Sequence, residues 1–161
     1  MGSGYKITCK KCGYEMHAML GIGMTYPRAC ASALDSMKEG KFGILFRDAA
    51  LATPHAAVNT ARSLYRCATC GRLSQDMLLE LCAPIGEYKP RDTIFSSACP
   101  RVEGYDYVME SDIGKRYKVL VSLRHPCGTC GRDMQPVRPE DKPPCPECKT
   151  PLTVITDICW D

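Results

Sequence analysis

The sequence predicts an α+β protein built from two small units of short antiparallel strands, with a helical insertion inside the first unit. Three observations support this fold class. Four Cys-x-x-Cys pairs are distributed over the 161 residues, runs of alternating apolar and polar residues flank them, and one intervening stretch has helical periodicity. We expect an N-terminal unit at 1–104, containing the insertion at about 13–66, and a C-terminal unit at 105–161.

The cysteine pairs are the most specific feature of the sequence. In chain order they are pair 1 (Cys9 and Cys12), pair 2 (Cys67 and Cys70), pair 3 (Cys127 and Cys130) and pair 4 (Cys145 and Cys148). A Cys-x-x-Cys turn directs two sulfurs at one ion, and two such turns complete a tetrahedral four-cysteine metal site. These eight cysteines are therefore the predicted metal ligands. The remaining cysteines are single residues, namely Cys30, Cys82, Cys99 and Cys159.

Four pairs can form two sites in three ways. Fourteen residues separate pair 3 from pair 4, which favours one site made from these two pairs. Pairs 1 and 2 share a nearby tyrosine, basic residues and a following glycine, so we expect them to form the other site. Closing their 54-residue loop costs only about 1.2 kcal/mol more than closing the shorter one. Loop length therefore does not exclude this arrangement.

An apolar stripe at positions i, i+3, i+4 and i+7 predicts a helix over residues 27–39. The stripe consists of Cys30, Ala33, Leu34 and Met37. Within it, Cys30 is expected to be a small buried hydrophobic residue. A second, shorter helix is predicted over 42–52, before Pro54, and Gly40 is the natural end of the first.

Strands are predicted where apolar and polar residues alternate or where a short apolar run is ended by proline. They cover residues 5–8, 76–83 and 151–156, whereas 84–104 reads as a loop. Over 105–123 both periods fit. Tyr117, Val119 and Val121 alternate as in a strand, but a helix beginning near Ser111 is the interpretation we favour.

Composition narrows the classes of function. No apolar leader precedes the first strand, so we expect a cytoplasmic protein, in which paired cysteines more often bind metal than form disulfides. No apolar run approaches the ~20 residues that span a bilayer, and a membrane partner is not expected.

The net charge of the chain depends on whether the cysteines bind metal. Four thiolates and a divalent ion carry −2 per site, so two sites change the formal charge from +3 to −1. This balance counts against a generally basic, nucleic-acid-binding surface.

Four thiolates suit zinc or iron. The spacer between pairs 3 and 4 is shorter than that of rubredoxins and the chain has few aromatic residues, so we predict two structural Zn²⁺ ions, with iron as the alternative.

A closed four-cysteine site has no open position for a catalytic water molecule. His17, His55 and His125 are far apart in the sequence, and no activated nucleophile is evident. We therefore do not expect an enzyme.

These motifs resemble those of zinc-ribbon proteins, and more narrowly of small bacterial proteins with a ribbon at each end and a helical insertion. The resemblance rests on Cys9-x-x-Cys12-Gly13, Gly21-x-Gly23, Leu64-Tyr65-x-Cys67-x-x-Cys70-Gly71, pairs 3 and 4, and the closing Trp160-Asp161. It implies a scaffold of zinc ribbons and does not imply an activity.

Three functions are compatible with this scaffold: a non-catalytic module that binds another protein, a nucleic-acid-binding protein, and an iron electron-transfer protein. Basic residues near the predicted sites would either contact phosphate or offset the negative charge of the metal–thiolate centres. They are Lys10, Lys11, Arg72, Arg124, Arg132 and Lys149. We favour charge compensation for most of them, and the protein-binding module as the function.

Overall fold

The computed structural model describes residues 2–23, 25–89 and 102–160, and for residues 157–160 it describes the backbone. These residues contain helices and strands, which confirms the α+β class. The helices are α1 (Tyr26–Lys38) and α2 (Ile44–Ala52), with one-turn 3-10 helices at Glu110–Asp112 and Pro139–Asp141. The strands are β1 (Gly2–Thr8), β2 (Glu15–Leu20), β3 (Ala57–Asn59), β4 (Arg62–Cys67), β5 (Leu73–Met77), β6 (Glu80–Pro84), β7 (Asp106–Tyr107), β8 (Tyr117–Ser122), β9 (Met134–Val137) and β10 (Thr153–Trp160).

The chain folds into two compact units that alternate along the sequence. Unit 1 comprises Met1–Gly23, Ala61–Met77 and Arg124–Asp161, and unit 2 comprises Met24–Thr60 and Leu78–Leu123. The chain thus leaves unit 1 and returns to it twice. This division differs from the consecutive one expected at residues 104 and 105, because strands from both ends of the chain belong to the same unit.

Unit 1 contains two three-stranded antiparallel sheets. In one the strand order is β10-β1-β2, and in the other it is β5-β4-β9. The predicted strand at residues 5–8 is the central strand β1, in which Ile7 pairs with Val154 on one side and Met16 on the other. The buried core of this unit consists of Ile7, Cys9, Ala18, Leu20, Leu64, Leu73, Cys145 and Leu152. Cysteines are therefore part of this core.

Unit 2 packs both helices against the four-stranded sheet β7-β3-β6-β8. Its main core consists of Ala33, Leu34, Met37, Phe46, Ala50, Ala56, Val58, Leu79 and Leu81. Both helix predictions are confirmed: α1 buries the predicted stripe, has Pro27 in its first turn and is followed by Gly40 with φ of +82°. Neither described helix is long and apolar enough to cross a membrane.

Cys30 is a buried hydrophobic residue, as predicted. It is 1% exposed, and its Sγ lies 3.5 Å from the hydroxyl oxygen of Thr60. Burial raises the pKa of the Cys30 thiol to about 11, which keeps it protonated at neutral pH. Cys82 on β6 is also fully buried, and burial raises the pKa of its thiol to about 12. Cys99 and the side chain of Cys159 lie outside the described residues.

The helix favoured for residues 105–123 is wrong. This stretch forms β7, a single 3-10 turn and β8. The alternation in the sequence belongs to β8, which pairs with β6 so that Val121 lies opposite Leu81 and Val119 opposite Cys82. The neighbouring strand decides between two periods that the local sequence fits equally well.

The single strand predicted over 76–83 is two strands. β5 ends at Met77 in unit 1, and β6 begins at Glu80 in unit 2. Between them Leu79 adopts a left-handed backbone with φ of +49°, which ends the extended run. Of the loop predicted over 84–104, Pro84 is the last residue of β6, and residues 90–101 lie outside the described residues.

Replacing Leu81 with alanine should destabilise unit 2 by about 2–5 kcal/mol, because the side chain is fully buried between the sheet and the helices. Both described α-helices lie in unit 2, so urea unfolding followed by circular dichroism at 222 nm reports on this unit. The matched control is Leu45→Ala, at a position that is 73% exposed, which should change stability by less than about 0.5 kcal/mol. Equal effects of the two changes would contradict this description of the core.

Candidate metal centres

All four cysteine pairs form the same backbone turn. The N–H of the residue four positions after the first cysteine donates to the carbonyl oxygen of that cysteine at 2.8–3.0 Å. These donors are Gly13, Gly71, Gly131 and Lys149. The N–H of each first cysteine in turn donates to the carbonyl five positions later, at 2.8–2.9 Å. The repeated pattern holds the two sulfurs of each pair close enough to share one ion.

The donor residue of this turn has a left-handed backbone in every pair. The φ angles of Gly13, Gly71 and Gly131 are +78°, +80° and +70°, a region that glycine adopts without steric cost. In pair 4 the same position is Lys149, with φ of +64°. The glycine after pairs 1, 2 and 3 therefore allows the turn without steric cost, and pair 4 departs from the pattern.

The turns bring the eight cysteines together in two groups of four. Centre A consists of Cys9, Cys12, Cys145 and Cys148, and centre B of Cys67, Cys70, Cys127 and Cys130. Within each centre all four sulfurs lie within 4.8 Å of one another. Between pairs, sulfur–sulfur distances are 3.4 and 3.5 Å in centre A, and 3.5, 3.5 and 3.8 Å in centre B. Four sulfurs placed tetrahedrally about 2.3 Å from an ion are about 3.8 Å apart, so both centres fit a four-coordinate metal.

The pairing expected from the sequence is wrong. Pair 1 joins pair 4 in centre A, and pair 2 joins pair 3 in centre B. The reason is strand register: Thr8 of β1 lies opposite Thr153 of β10, which brings pair 1 beside pair 4. Cys67, at the end of β4, lies opposite Met134 of β9, which brings pair 2 beside pair 3. The short segment between pairs 3 and 4 includes β9 and therefore leads from one centre to the other.

Burial divides each pair into an inner and an outer cysteine. The first cysteine of every pair is at most 3% exposed. The second cysteine is exposed in pairs 1 and 3 and half-buried in pairs 2 and 4. Each centre therefore has a buried side and a side that is at least partly exposed to solvent.

Hydrogen bonds lower the pKa of some thiols in each centre and so favour the thiolate form that binds metals, whereas the pKa of the exposed Cys12 and Cys130 thiols is raised, with the neighbouring sulfurs contributing. In centre B the backbone N–H of Cys70 lowers the pKa of the Cys67 thiol to about 6, and the N–H of Thr129 lowers the pKa of Cys127. In centre A the side chain of Thr150 lowers the pKa of the Cys148 thiol to about 6. The Thr150 hydroxyl oxygen lies 3.4 Å from the Cys148 sulfur. Thr150 is not among the residues predicted from the sequence, since only the folded turn places its hydroxyl beside the sulfur.

Three of the six basic residues near the predicted sites have partners within unit 1. Arg124 binds the Asp133 carboxylate through two nitrogens, at 2.7 and 3.1 Å. Arg72 donates to the hydroxyl of Thr129 at 2.7 Å. Lys149 donates to two backbone carbonyl oxygens. These contacts support structural roles for the three side chains.

The three histidines have separate contacts. These are His17 with Glu15 at 3.2 Å, His55 with the ring of Tyr88 at 3.7 Å, and His125 with Asp76 at 3.4 Å. Among the described residues, the groups of three or more side chains that can ligate a metal are the two cysteine centres. No histidine joins either group.

No protein-family model, curated protein or solved structure matches this chain. The expected relationship to zinc-ribbon proteins therefore rests on the cysteine turns and their grouping. Two groups of four cysteines suit metal binding, and this much of the resemblance agrees with the structure.

The grouping is testable by removing whole pairs and counting bound metal ions with mass spectrometry of the purified protein. Replacing pairs 1 and 4 together with serine should leave one metal ion per chain, because centre B remains complete. Replacing pairs 1 and 2 should leave none, because each centre then keeps only two sulfurs. The grouping expected from sequence proximity gives the reverse result, so the two outcomes separate the arrangements.

Proposed function

We propose that this protein is a non-catalytic zinc-binding protein of the reducing cytoplasm that binds another protein, and that centres A and B stabilise unit 1 of its scaffold. The observation that carries this proposal is the grouping of eight cysteines into two closed four-sulfur centres. Each centre connects stretches of chain that are far apart in sequence. A metal bound there would act as a cross-link between them.

A structural role is supported by where the ligands lie. Cys9 and Cys145 of centre A belong to the same buried cluster as Ile7 and Leu152. Metal binding and core packing are therefore parts of one folding event. Structural zinc contributes ~10–16 kcal/mol of apparent binding free energy in small zinc-finger peptides, which is larger than the net stability of a typical domain.

Closed coordination argues against catalysis. Four thiolates occupy all positions of a tetrahedral zinc, which leaves no position for a water molecule or substrate. Zinc is favoured over iron because the core cluster that includes two ligands of centre A is mainly aliphatic, and its aromatic contacts are the tyrosines Tyr5 and Tyr14. A rubredoxin-like electron-transfer protein is the alternative, and a visible absorption spectrum distinguishes it, since iron–thiolate centres are red and zinc centres are colourless.

A protein partner is supported by the surface of α2 in unit 2. Ile44, Leu45 and Leu51 on this nine-residue helix are 63%, 73% and 65% exposed. Several large apolar side chains on one exposed helix are typical of a surface that contacts apolar protein groups. A nucleic-acid backbone would instead require clustered positive charge, and Arg72, Arg124 and Lys149 already have partners within unit 1.

Nucleic-acid binding is the second candidate, supported by the exposed Lys10 and Lys11 in the turn of pair 1. Electrophoretic mobility shifts with mixed DNA and RNA at low salt test it. We expect no shift. Binding that weakens steeply with salt and is lost in a Lys10→Glu, Lys11→Glu variant would favour nucleic acid over protein as the partner.

Removing zinc should unfold unit 1. The purified protein is expected to contain two zinc ions per chain, and a strong chelator should abolish the dispersed amide NMR signals of β1 and β4, which lead into pairs 1 and 2. Adding back two equivalents of zinc should restore them. Dispersed signals that persist in the metal-free protein would show that bound metal is not needed to fold unit 1. One or two iron ions per chain in the purified protein would show that the bound metal is iron and not zinc.

The apolar surface of α2 should be needed for partner binding. Replacing Leu45 and Leu51 with aspartate should abolish capture of a protein that binds the wild type directly and saturably, because a charged surface cannot pack against apolar groups. The matched control is the variant Arg124→Glu with Arg132→Glu, which changes charge in unit 1 and should retain the partner. Loss of binding in the control with retention in the α2 variant would assign the interaction to unit 1.

A further inference from the structure

Lys149 occupies the position that glycine has in the other three turns. A left-handed backbone costs a non-glycine residue on the order of 1 kcal/mol, so the φ of +64° does not favour lysine there. Glycine would satisfy the same backbone hydrogen bond to Cys145 without this cost. The contribution of Lys149 therefore lies in its side chain.

The side chain of Lys149 connects the turn of centre A to a turn of centre B. Its Nζ donates to the carbonyl oxygen of Pro146 within its own turn, at 2.8 Å, and to the carbonyl oxygen of Cys70 at 3.3 Å. Cys70 is a ligand of centre B, and Pro146 follows Cys145 of centre A. One ammonium group thus contacts the backbone of both centres.

Close packing at Gly71 shows that these two turns fit together. A Cβ added at Gly71, directly after Cys70, would lie 3.1 Å from Lys149 Nζ and 3.7 Å from the Cα of Pro146. The same point lies 3.8 Å from a guanidinium nitrogen of Arg66. Two cationic side chains therefore lie beside this contact between the turns.

The positive charge of Lys149 affects how two filled metal centres interact. Each centre with four thiolates and a divalent ion carries −2, so two filled centres repel each other. A cation held beside both turns lowers this repulsion, and its hydrogen bonds position one turn relative to the other.

We propose that Lys149 is a positioning residue that couples the two centres, so that zinc bound in one centre slows the loss of zinc from the other. The inference rests on the zinc binding proposed above. Lys149 does not ligate the metal. Its hydrogen bond to the Cys70 carbonyl oxygen positions the turn of centre B relative to the turn of centre A.

The test measures the rate at which centre A releases zinc to a chromophoric chelator. In the otherwise wild-type protein, disabling centre B with Cys67→Ser and Cys70→Ser should speed release from centre A at least about threefold, the size of one net hydrogen bond. In a Lys149→Gly protein, release from centre A should already be faster by that factor. Disabling centre B should then no longer speed release from centre A, and the unscreened repulsion between filled centres predicts unchanged or slower release.

Two further variants separate the side chain from the backbone. Lys149→Met keeps the aliphatic stem and the left-handed residue but removes the donor, and it should behave like Lys149→Gly. Lys142→Gly is the matched control, since Lys142 is also an exposed lysine with a left-handed backbone, with φ of +47°, and it should leave the coupling intact. If only the backbone of Lys149 mattered, Lys149→Gly would relieve the strain of the left-handed conformation, and release of zinc from centre A would become slower instead of faster.

Coupling of the same size in Lys149→Gly, Lys149→Met and wild type would overturn the role of Lys149, as would independent release from two zinc-loaded centres in the wild type. Either result leaves the proposed zinc binding intact. A chain that binds no zinc at either centre would overturn both proposals. The two proposals therefore fail by different results.

Discussion

The antiparallel pairing of the first strand with the last is the constraint on which unit 1 depends. Strand β1 pairs with β10 along its length, from Gly2 opposite Trp160 to Thr8 opposite Thr153. Pair 1 follows β1 and pair 4 precedes β10, so the pairing places four sulfurs at one end of the sheet. Closing so long a loop has a considerable entropic cost, which burial of Ile7 and Leu152 and the binding of a metal at centre A can offset.

Centre B is also formed by the pairing of two strands, and its cysteines lie between those of centre A in the sequence. Pair 2 begins at the last residue of β4 and pair 3 precedes β9, and the pairing of these two strands brings the four cysteines of centre B together. The centres are nested along the chain, with both pairs of centre B lying between the two pairs of centre A. Unit 2 is inserted into unit 1 as two separate segments. Both cysteine centres thus belong to unit 1, whereas the exposed apolar residues of α2 belong to unit 2.

Local sequence predicted those elements whose stability comes from local pattern. Helix α1 was predictable because its apolar residues recur at helical spacing and because proline and glycine mark its ends. Residues 105–123 were not, since both periods fit and pairing with β6 decided for the strand. The break between strands at Leu79 was also not predictable from the sequence, because residues 76–83 form one largely apolar run. The chain passes there from β5 in unit 1 to β6 in unit 2. Each failure involves a contact between residues that are distant in sequence.

The sequence by itself determined the chemistry of the candidate sites. A Cys-x-x-Cys turn is local, so its spacing identifies eight sulfurs that can share metal ions, and a following glycine marks three of the four turns. Only the tertiary structure decided which pairs combine, because strand register is set by non-local hydrogen bonds and by burial of one face of each strand. Proximity in sequence favoured pairs 3 and 4, yet β9 lies between them and separates them into different centres. The same non-local packing brought Lys149 to Cys70, a contact between residues that are far apart in the chain.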